Sequence, residues 1–507
     1  MMALGDYRLH DASAEIYTGY SLTRASQADP ILVKQIRDAL RPLFPSADKH
    51  LNEESARLLA MLEDDDASLL RKIASMWSKE SSPTEDVHYL VVFSRLRGPR
   101  DETLTQQVAA ALLGLHQKLQ GREQRVKQVW EERLGELLEN LLRRDSNLAG
   151  ALLKHRGFID PGNVFLAARL DLEHRKQAAR LFLAALRQDA DFAWSGFLVD
   201  LLSLLPAAEV HPVMRGQWSN FGLREAILLR LAEKPDAVDR DKFLAGLESN
   251  QQQVLNACLG ALDQLPRDDT PRNLVPLLRL LHRLEQEPKE RALRRHVLNL
   301  LVRQAGKPFA IDDVATDSTR LKRTYAPVYT WFTKQHPDLA RALHEEGDDD
   351  PAVWNKLLAA VDWSKGDALR GEAIFRQRAC QTCHTGSRAL GPDLTGVATR
   401  FSRDDLMTAI IYPSRDVAPA YRMNVIETRN GQLVTGIVAF ESADGLIVQT
   451  GATTTVRIAN DDMASRLPSN RSLMPNGLLK DLKPEDVADL YRYLQTLKPA
   501  LKDKPKK

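Results

Sequence analysis

The sequence is poor in cysteine and in aromatic residues, and it contains no hydrophobic run long enough to cross a membrane. Its 507 residues include 3 cysteines, and aromatic residues make up 6% of the chain. Three cysteines cannot build the disulfide framework that stabilises many small secreted domains. The longest apolar runs, such as LVDLLSLLPAA, fall well short of the roughly 20 residues that a transmembrane helix needs.

The chain also lacks a large excess of positive or negative charge. The chain has 70 Lys and Arg residues against 68 Asp and Glu residues, which gives a formal net charge of +2. Such a balance excludes the strong global field that attracts nucleic acid or an anionic membrane. The N-terminal segment, residues 1–50, does not begin with a cationic stretch followed by an apolar one, so it predicts no secretory signal. The basic residues 500–507 are predicted to be a solvated tail.

Most of the chain has the hydrophobic spacing of amphipathic helices. In residues 51–343, apolar residues recur three and four positions apart between short polar or proline-containing turns. Segments beginning at Leu223, Val254 and His296 have the pattern of second helices in repeated helical pairs of HEAT type. This predicts an α-solenoid, in which each pair buries its apolar face against its neighbours. Cys258 lies inside one of these helices and is expected to be a buried packing residue.

An acidic run at residues 344–351 marks a change in the character of the sequence. We interpret residues 344–365 as a linker and residues 366–499 as a second domain. A helix is predicted to begin after Asp367, which is a good N-cap residue. Another is predicted to begin at Pro484, because proline is favoured at the first position of a helix.

The second domain also contains a β-rich insertion, at residues 421–460. Two alternating runs flank Asn430-Gly431 there, which is typical of a tight hairpin turn. The closing helix carries an apolar stripe that must pack on another element. The stripe consists of Val487, Leu490, Tyr491, Leu494 and Leu497. The predicted fold is therefore mainly α, an α-solenoid followed by a helical domain with a small β-rich insertion.

Two of the three cysteines lie in the motif CQTCH, as Cys380 and Cys383, directly before His384. A structural zinc ion needs four ligands, but no second pair of cysteines or histidines accompanies the motif. A thiol redox centre would follow a strand in a βαβ unit, whereas the preceding segment is predicted to be helical. A covalent haem uses all three residues, because two thiols on one turn can reach two vinyl groups and the imidazole can bind the iron.

Met474 is the candidate for a second axial ligand. A haem with histidine and methionine ligands needs a methionine on the face opposite the histidine. Met474 lies in the segment RSLMPNGLL, a predicted loop directly before the closing helix. Met407 falls in a predicted helix, Met423 in a predicted strand, and Met463 just after the β-rich region. This pattern favours Met474 as the distal ligand.

Two further features have the chemistry of groups that surround a haem. The rigid Gly391-Pro392 turn can offer a backbone carbonyl to the Nδ1–H of His384, which would fix the ring and raise its basicity. Arg400 and Arg403 are candidates to neutralise a haem propionate.

These residues resemble the C-terminal haem-binding domain of a class of large bacterial proteins in which a HEAT-type solenoid precedes a cytochrome c module. The group is associated with proteins described as membrane-bound dehydrogenases, many of which also carry an N-terminal propeller. The resemblance rests on the segments GEAIF, CQTCH, GPDL, YPSRDV, RNGQLVTGIV, MP and DLYRYLQTL, and it is specific only from about residue 366 onward.

The resemblance implies a class I-like cytochrome c domain with one covalent haem c. Cys380 and Cys383 would be its thioether anchors, with His384 as the proximal iron ligand and Met474 as the distal one. It further implies that Gly371 and Phe375 lie where the first helix of the domain crosses the last, near Leu490 and Leu494.

We expect an electron carrier that exchanges electrons with a redox partner protein, with the solenoid as a docking platform, no nucleic acid partner and no transmembrane segment. Three alternatives stay open: the electron-accepting part of a dehydrogenase, a haem enzyme such as a peroxidase, and a scaffold whose haem is only structural. Because c-type haem is attached outside the cytoplasmic membrane in bacteria, we expect a periplasmic or cell-envelope location. The lack of a signal is consistent with a fragment or with a start at the wrong methionine.

Overall fold

The computed structural model describes residues 29–120, 130–189, 191–314, 317–340, 343, 351–384, 390–442, 445–451 and 455–497. The described chain is mainly α-helical and contains one antiparallel sheet near its C-terminal end, which confirms the predicted fold class. It divides into two compact units, Met1–Pro206 and Ala207–Lys507. None of the described helices combines the length and the hydropathy that crossing a membrane requires.

The first unit consists of helices joined by short turns. Many of these helices begin with a side-chain cap. Ser82 and Glu85, for example, form a capping box at the start of the fourth helix. The helices are α1 (Pro30–Leu40), α2 (Lys49–Met61), α3 (Ala67–Ala74), α4 (Pro83–Arg95), α5 (Glu102–Gln120), α6 (Trp130–Arg144), α7 (Leu148–Lys154), α8 (Val164–Ala167), α9 (Leu172–Gln188) and α10 (Gly196–Leu202).

The second unit begins with a further helical series, which we call the helical array. It consists of α11 (Ala207–Gly216), α12 (Arg224–Leu231), α13 (Arg240–Gly246), α14 (Gln252–Gln264), α15 (Leu274–Leu284), α16 (Arg291–Ala305), α17 (Ser318–Gln335) and α18 (Pro337–Ala340). α14 packs on α12, α13 and α16, so neighbouring helices bury one another as the hydrophobic spacing predicted. Cys258, in α14, is fully buried and is the packing residue that we expected.

The predicted linker is partly helical. Its first part, residues 344–350, lies outside the described residues, whereas α19 (Pro351–Ala359) occupies the part that follows. Trp354 in α19 is buried in the core of the C-terminal helices. The second part of the segment that we interpreted as a linker is therefore a short packed helix, and the domain boundaries stay a prediction.

The remaining helices are α20 (Ala368–Gln377), α21 (Cys380–His384), α22 (Val397–Arg400), α23 (Arg403–Ile411) and α24 (Pro484–Thr496). Two of them, α20 and α24, have the starts that the sequence predicted. Asp367 caps α20 through the backbone N–H of Arg370, and Pro484 is the first residue of α24. Met407 lies in α23, as predicted.

α20 and α24 cross closely, and the crossing depends on a glycine. A Cβ atom at Gly371 would collide with the backbone carbonyl of Asp489 and approach Tyr493. The rings of Phe375 and Tyr493 lie 5.2 Å apart. Phe375 shares its buried core with Leu490 and Leu494. The predicted crossing of the first and last helices of this domain is therefore confirmed.

The β-rich insertion forms a five-stranded antiparallel sheet with the order β4-β3-β2-β1-β5. Its strands are β1 (Arg422–Thr428), β2 (Leu433–Ser442), β3 (Gly445–Gln449), β4 (Thr455–Ala459) and β5 (Met463–Ser472). β1 and β2 pair around the Asn430-Gly431 turn, as predicted, with Gly431 at a φ of 81°.

The fifth strand extends the sheet beyond the predicted insertion of residues 421–460. Met463 is the first residue of β5 rather than a residue outside the β structure. Its sequence, MASRLPSNRS, is polar and contains Pro468, which is unfavourable inside a central strand. β5 tolerates the proline because it is an edge strand that pairs only with β1.

Candidate functional site

The CQTCH motif forms a short helix of its own, because the backbone changes direction directly before it. α20 ends at Gln377, and Ala379 has a left-handed backbone conformation with a φ of 60°. Such a conformation is uncommon outside glycine and interrupts a right-handed helix. α21 therefore starts at Cys380 and carries both cysteines and His384 within little more than one helical turn.

Both cysteine side chains are half-buried and neither forms a disulfide bond. Cys380 packs against the hydrophobic core of the surrounding helices. Burial raises the pKa of Cys380 to about 12 and the pKa of Cys383 to about 11. Both side chains are therefore thiols at neutral pH, whereas a redox-active pair is marked by a lowered pKa.

The imidazole of His384 is oriented by the turn that the sequence singled out. Its Nδ1 lies 2.8 Å from the carbonyl oxygen of Pro392. Because a carbonyl only accepts, Nδ1 carries the proton and the lone pair resides on Nε2. Burial lowers the pKa of His384, and the hydrogen bond to Pro392 opposes this effect. The neutral ring thus has its Nε2 available for a metal.

Gly391 allows the turn to approach this ring. Its backbone N–H donates to the carbonyl of Cys383 over 2.9 Å, which brings the turn back onto α21. A Cβ atom at Gly391 would lie 2.5 Å from Cε1 and 2.8 Å from Nδ1 of His384. No alanine fits there without displacement of the ring, so the glycine maintains the contact between His384 and Pro392.

Met474 lies in the loop between β5 and α24. Its side chain is half-buried, and its backbone N–H donates to Oγ of Ser472 over 3.1 Å. This is the loop before the closing helix that the sequence predicted. The role of Met474 as the distal ligand stays a prediction.

Arg400 and Arg403 have protein partners in this structure. Arg400 donates to the carbonyl of Asp393 over 2.8 Å. The guanidinium of Arg403 lies 4.6 Å from the ring centre of Trp363. The role of the two arginines towards a haem propionate stays a prediction.

One acidic residue near the motif was not identified from the sequence. Glu225, in α12, lies close enough to Cys383 and to Cys258 for its charge to contribute to raising the pKa of each thiol. Its carboxylate accepts hydrogen bonds from Oγ of Ser249, over 2.5 Å, and from the side-chain amide of Gln251. Burial raises the pKa of Glu225. No local pattern could have revealed this residue, because it belongs to a helix far from the motif in sequence.

The donor atoms fit a covalently attached haem. Two protonated thiols on one turn are the groups that add to vinyl side chains, and an imidazole with Nε2 free is the usual proximal ligand. Cys380, Cys383 and His384 would hold the haem. The Gly391-Pro392 turn would hold the imidazole in place.

A comparison with protein families supports this chemistry. Residues 366–430 match the family model described as cytochrome c oxidase, cbb3-type, subunit III. The second unit carries a cytochrome c domain. The matched segment includes the CQTCH motif and Pro392 and ends before Met474. A search among curated proteins found no significant match.

A cytochrome c domain implies covalently bound haem c, which confirms the predicted cofactor. The assignment of Cys380, Cys383 and His384 as the residues that hold it stays a prediction. The sequence contains the motif once and has only Cys258 besides it, so it can attach one haem. The same domain implies haem-based electron transfer with a redox partner.

Proposed function

We propose that the cytochrome c domain is a single-electron carrier with one six-coordinate haem. Cys380 and Cys383 are its thioether anchors, His384 is the proximal ligand and Met474 is the distal ligand. The observation that carries the proposal is the hydrogen bond from Nδ1 of His384 to Pro392, because it leaves Nε2 as the ligating atom.

The two ligands have separate effects on the iron. The Pro392 hydrogen bond makes the imidazole a stronger donor and fixes its orientation. A methionine thioether favours ferrous iron and raises the reduction potential. If side chains took both axial positions, the iron would be suited to electron exchange rather than to binding a substrate.

The helical array is proposed to be of HEAT type and to serve as the docking platform for a protein partner. The stacked packing of α12, α13, α14 and α16 supports this role, because arrays of this kind present an extended surface. The site of action is proposed to be the periplasm or another envelope compartment, where c-type haem is attached. The matched family is named after an oxidase subunit, which supports an oxidoreductase as the partner.

The distal ligand can be tested in protein matured by a host that attaches c-type haem. The ferric wild-type protein should show the weak near-infrared band of sulfur-to-iron ligation, and Met474→Ala should lose it. Met463→Ala, on the edge strand β5, is the matched control and should keep the band.

Persistence of the band in Met474→Ala would contradict the assignment of Met474. Peroxide turnover gives an independent readout, because an open distal position is required for it. The wild-type protein should turn over little peroxide, and Met474→Ala should turn over more. Rapid turnover by the wild type would favour a haem enzyme over a carrier.

A further inference from the structure

The segment that carries Met474 leaves the sheet through an irregular part of β5. Arg422 pairs with Ser472, but Asn424, two residues along β1, pairs with Pro468, so β5 has extra residues between these pairs. Irregularities of this kind bend a strand and redirect the residues that follow. The redirected part, residues 469–472, approaches the helical array.

Ser472 connects this segment to its surroundings through three hydrogen bonds. Its carbonyl accepts from Nδ2 of Asn250 over 3.2 Å, and its backbone N–H donates to Oγ of Ser414 over 3.0 Å. Its own Oγ accepts from the backbone N–H of Met474 over 3.1 Å. Asn250 and Ser472 are both buried, with 7% and 8% of their surface exposed. A buried carbonyl of this kind has little access to water if Asn250 is removed.

An ion pair reinforces the same contact. Nε of Arg471 lies 3.3 Å from Oε1 of Glu287, and both side chains are largely shielded, with 13% and 27% of their surface exposed. Glu287 follows α15 and belongs to the helical array, as Asn250 does. Arg471 and Ser472, the last two residues of β5, are therefore held by the array shortly before the chain reaches Met474.

The turn that holds Asn250 also binds an acidic side chain. Its neighbours Ser249 and Gln251 donate to the carboxylate of Glu225. Residues 249–251, which we call the bridging turn, thus connect Glu225 with Ser472 of the segment that carries Met474.

We propose that Asn250 is a positioning residue for the distal iron ligand, and that the helical array, through Asn250 and Glu287, determines how firmly Met474 is held. The inference rests on the proposed function, in which Met474 ligates the iron. The physical reason is that a ligand in a loop is displaced more easily when the loop is free to move, because displacement then breaks fewer contacts.

The test is displacement of the distal ligand by imidazole in the full-length ferric holoprotein. The loss of the near-infrared band measures this displacement. Asn250→Ala should bind imidazole about tenfold more tightly than the wild type, because one buried hydrogen bond no longer opposes displacement. Its reduction potential should also fall, since the weakened thioether stabilises ferrous iron less.

Lys289→Ala is the matched control. Lys289 also connects the array to the sheet, since its Nζ lies 3.4 Å from Glu427 and from Ser465, but this contact is exposed and remote from Met474 in sequence. The affinity of Lys289→Ala for imidazole should stay within about twofold of the wild-type value, because exposed ion pairs of this kind contribute little to stability.

If Asn250→Ala does not fold, an exchange of the charges of Arg471 and Glu287 tests the proposal instead. Arg471→Glu alone should raise the imidazole affinity, and combining it with Glu287→Arg should return the affinity towards the wild-type value. A merely structural role would not produce this recovery in ligand exchange.

The outcomes separate the two proposals. If Met474→Ala keeps the near-infrared band, the distal assignment fails. If Met474→Ala loses the band but Asn250→Ala and Arg471→Glu bind imidazole as the wild type does, the positioning role of the array is wrong and the proposed function stands.

Discussion

The helical array and the cytochrome c domain place their cysteines in opposite environments. Cys258 in the array is fully buried, and its Sγ lies so close to Gly246 that a Cβ there would approach it to 2.5 Å. Cys380 and Cys383 are half-buried on a short helix at the edge of their core. Cys258 is thus part of the packed interior of the array, whereas the two motif cysteines lie only partly inside the core of their domain.

The two regions also differ in which substitutions their packing permits. The array is built from repeated helices whose buried positions are mostly leucine, and α15 alone buries Leu274, Leu277, Leu278, Leu280, Leu281 and Leu284. The cytochrome c domain depends on a single close crossing of α20 and α24, at which Gly371 meets Asp489. Substitutions of the same kind should therefore have different effects in the two regions.

The largest expected difference concerns the cysteines themselves. Replacement of Cys380 and Cys383 together by serine should abolish covalent haem attachment, because no sulfur remains for the vinyl groups. Cys258→Ser should keep the haem, since Cys258 is buried in the array. Haem staining after denaturing electrophoresis measures both results, and stained Cys380→Ser/Cys383→Ser protein would contradict the assignment.

The next effect concerns the helix crossing. Gly371→Ala should destabilise the cytochrome c domain by about 1–3 kcal/mol or more, because the added methyl group meets backbone rather than a flexible side chain. Urea unfolding followed by the haem absorbance measures the change. Unchanged stability would show that the two helices can separate at no cost.

The pH dependence of the same crossing is set by Asp489. Burial tends to raise the pKa of this carboxyl, but hydrogen bonds from Arg370, at 2.6 and 2.9 Å, and from the backbone N–H of Asp367 hold the pKa below the usual value of an aspartate. A lowered folded-state pKa gives stability that is complete above the unfolded pKa and is lost as the pH falls through the folded one.

Asp489→Asn should therefore be less stable than the wild type at pH 7, by about 1–3 kcal/mol, because charge-assisted hydrogen bonds are lost. The difference should shrink as the pH is lowered below about 4, where the carboxyl of the unfolded wild-type chain begins to protonate, and the loss should be complete below the lower pKa of the folded one. Urea unfolding at several pH values gives the comparison. A difference that stays constant with pH would rule out this role of the carboxylate.

The smallest expected effect is a gain of stability in the array. Gly260 lies inside α14, and a Cβ atom there would meet nothing within 4 Å. Gly260→Ala should therefore stabilise the array by about 0.5–1 kcal/mol through the lower entropy of the unfolded chain. Thermal unfolding measured by circular dichroism provides the value, and a loss of stability would show that the helix needs the glycine.

Local sequence chemistry predicted the parts of this structure that depend on neighbouring residues. Helix starts at Asp367 and Pro484 and the hairpin turn at Asn430-Gly431 follow from caps and turn preferences. The hydrogen bond between His384 and Pro392 could be predicted because the two residues are only 8 positions apart in the sequence.

Other features could not be predicted, because they depend on contacts between distant parts of the chain. β5 is stabilised by pairing with β1, although its own sequence is polar and contains Pro468. Asn250 meets Ser472 across 222 residues, and no periodicity or motif announces such a contact. The same is true of Glu225 beside Cys383.

The most direct test of the central claim is the intact mass of the wild-type chain after maturation in a host that attaches c-type haem. The mass should exceed that of the polypeptide by one haem, and Cys380 and Cys383 should be protected from alkylation. A mass equal to that of the polypeptide, with both thiols reacting, would contradict the claim.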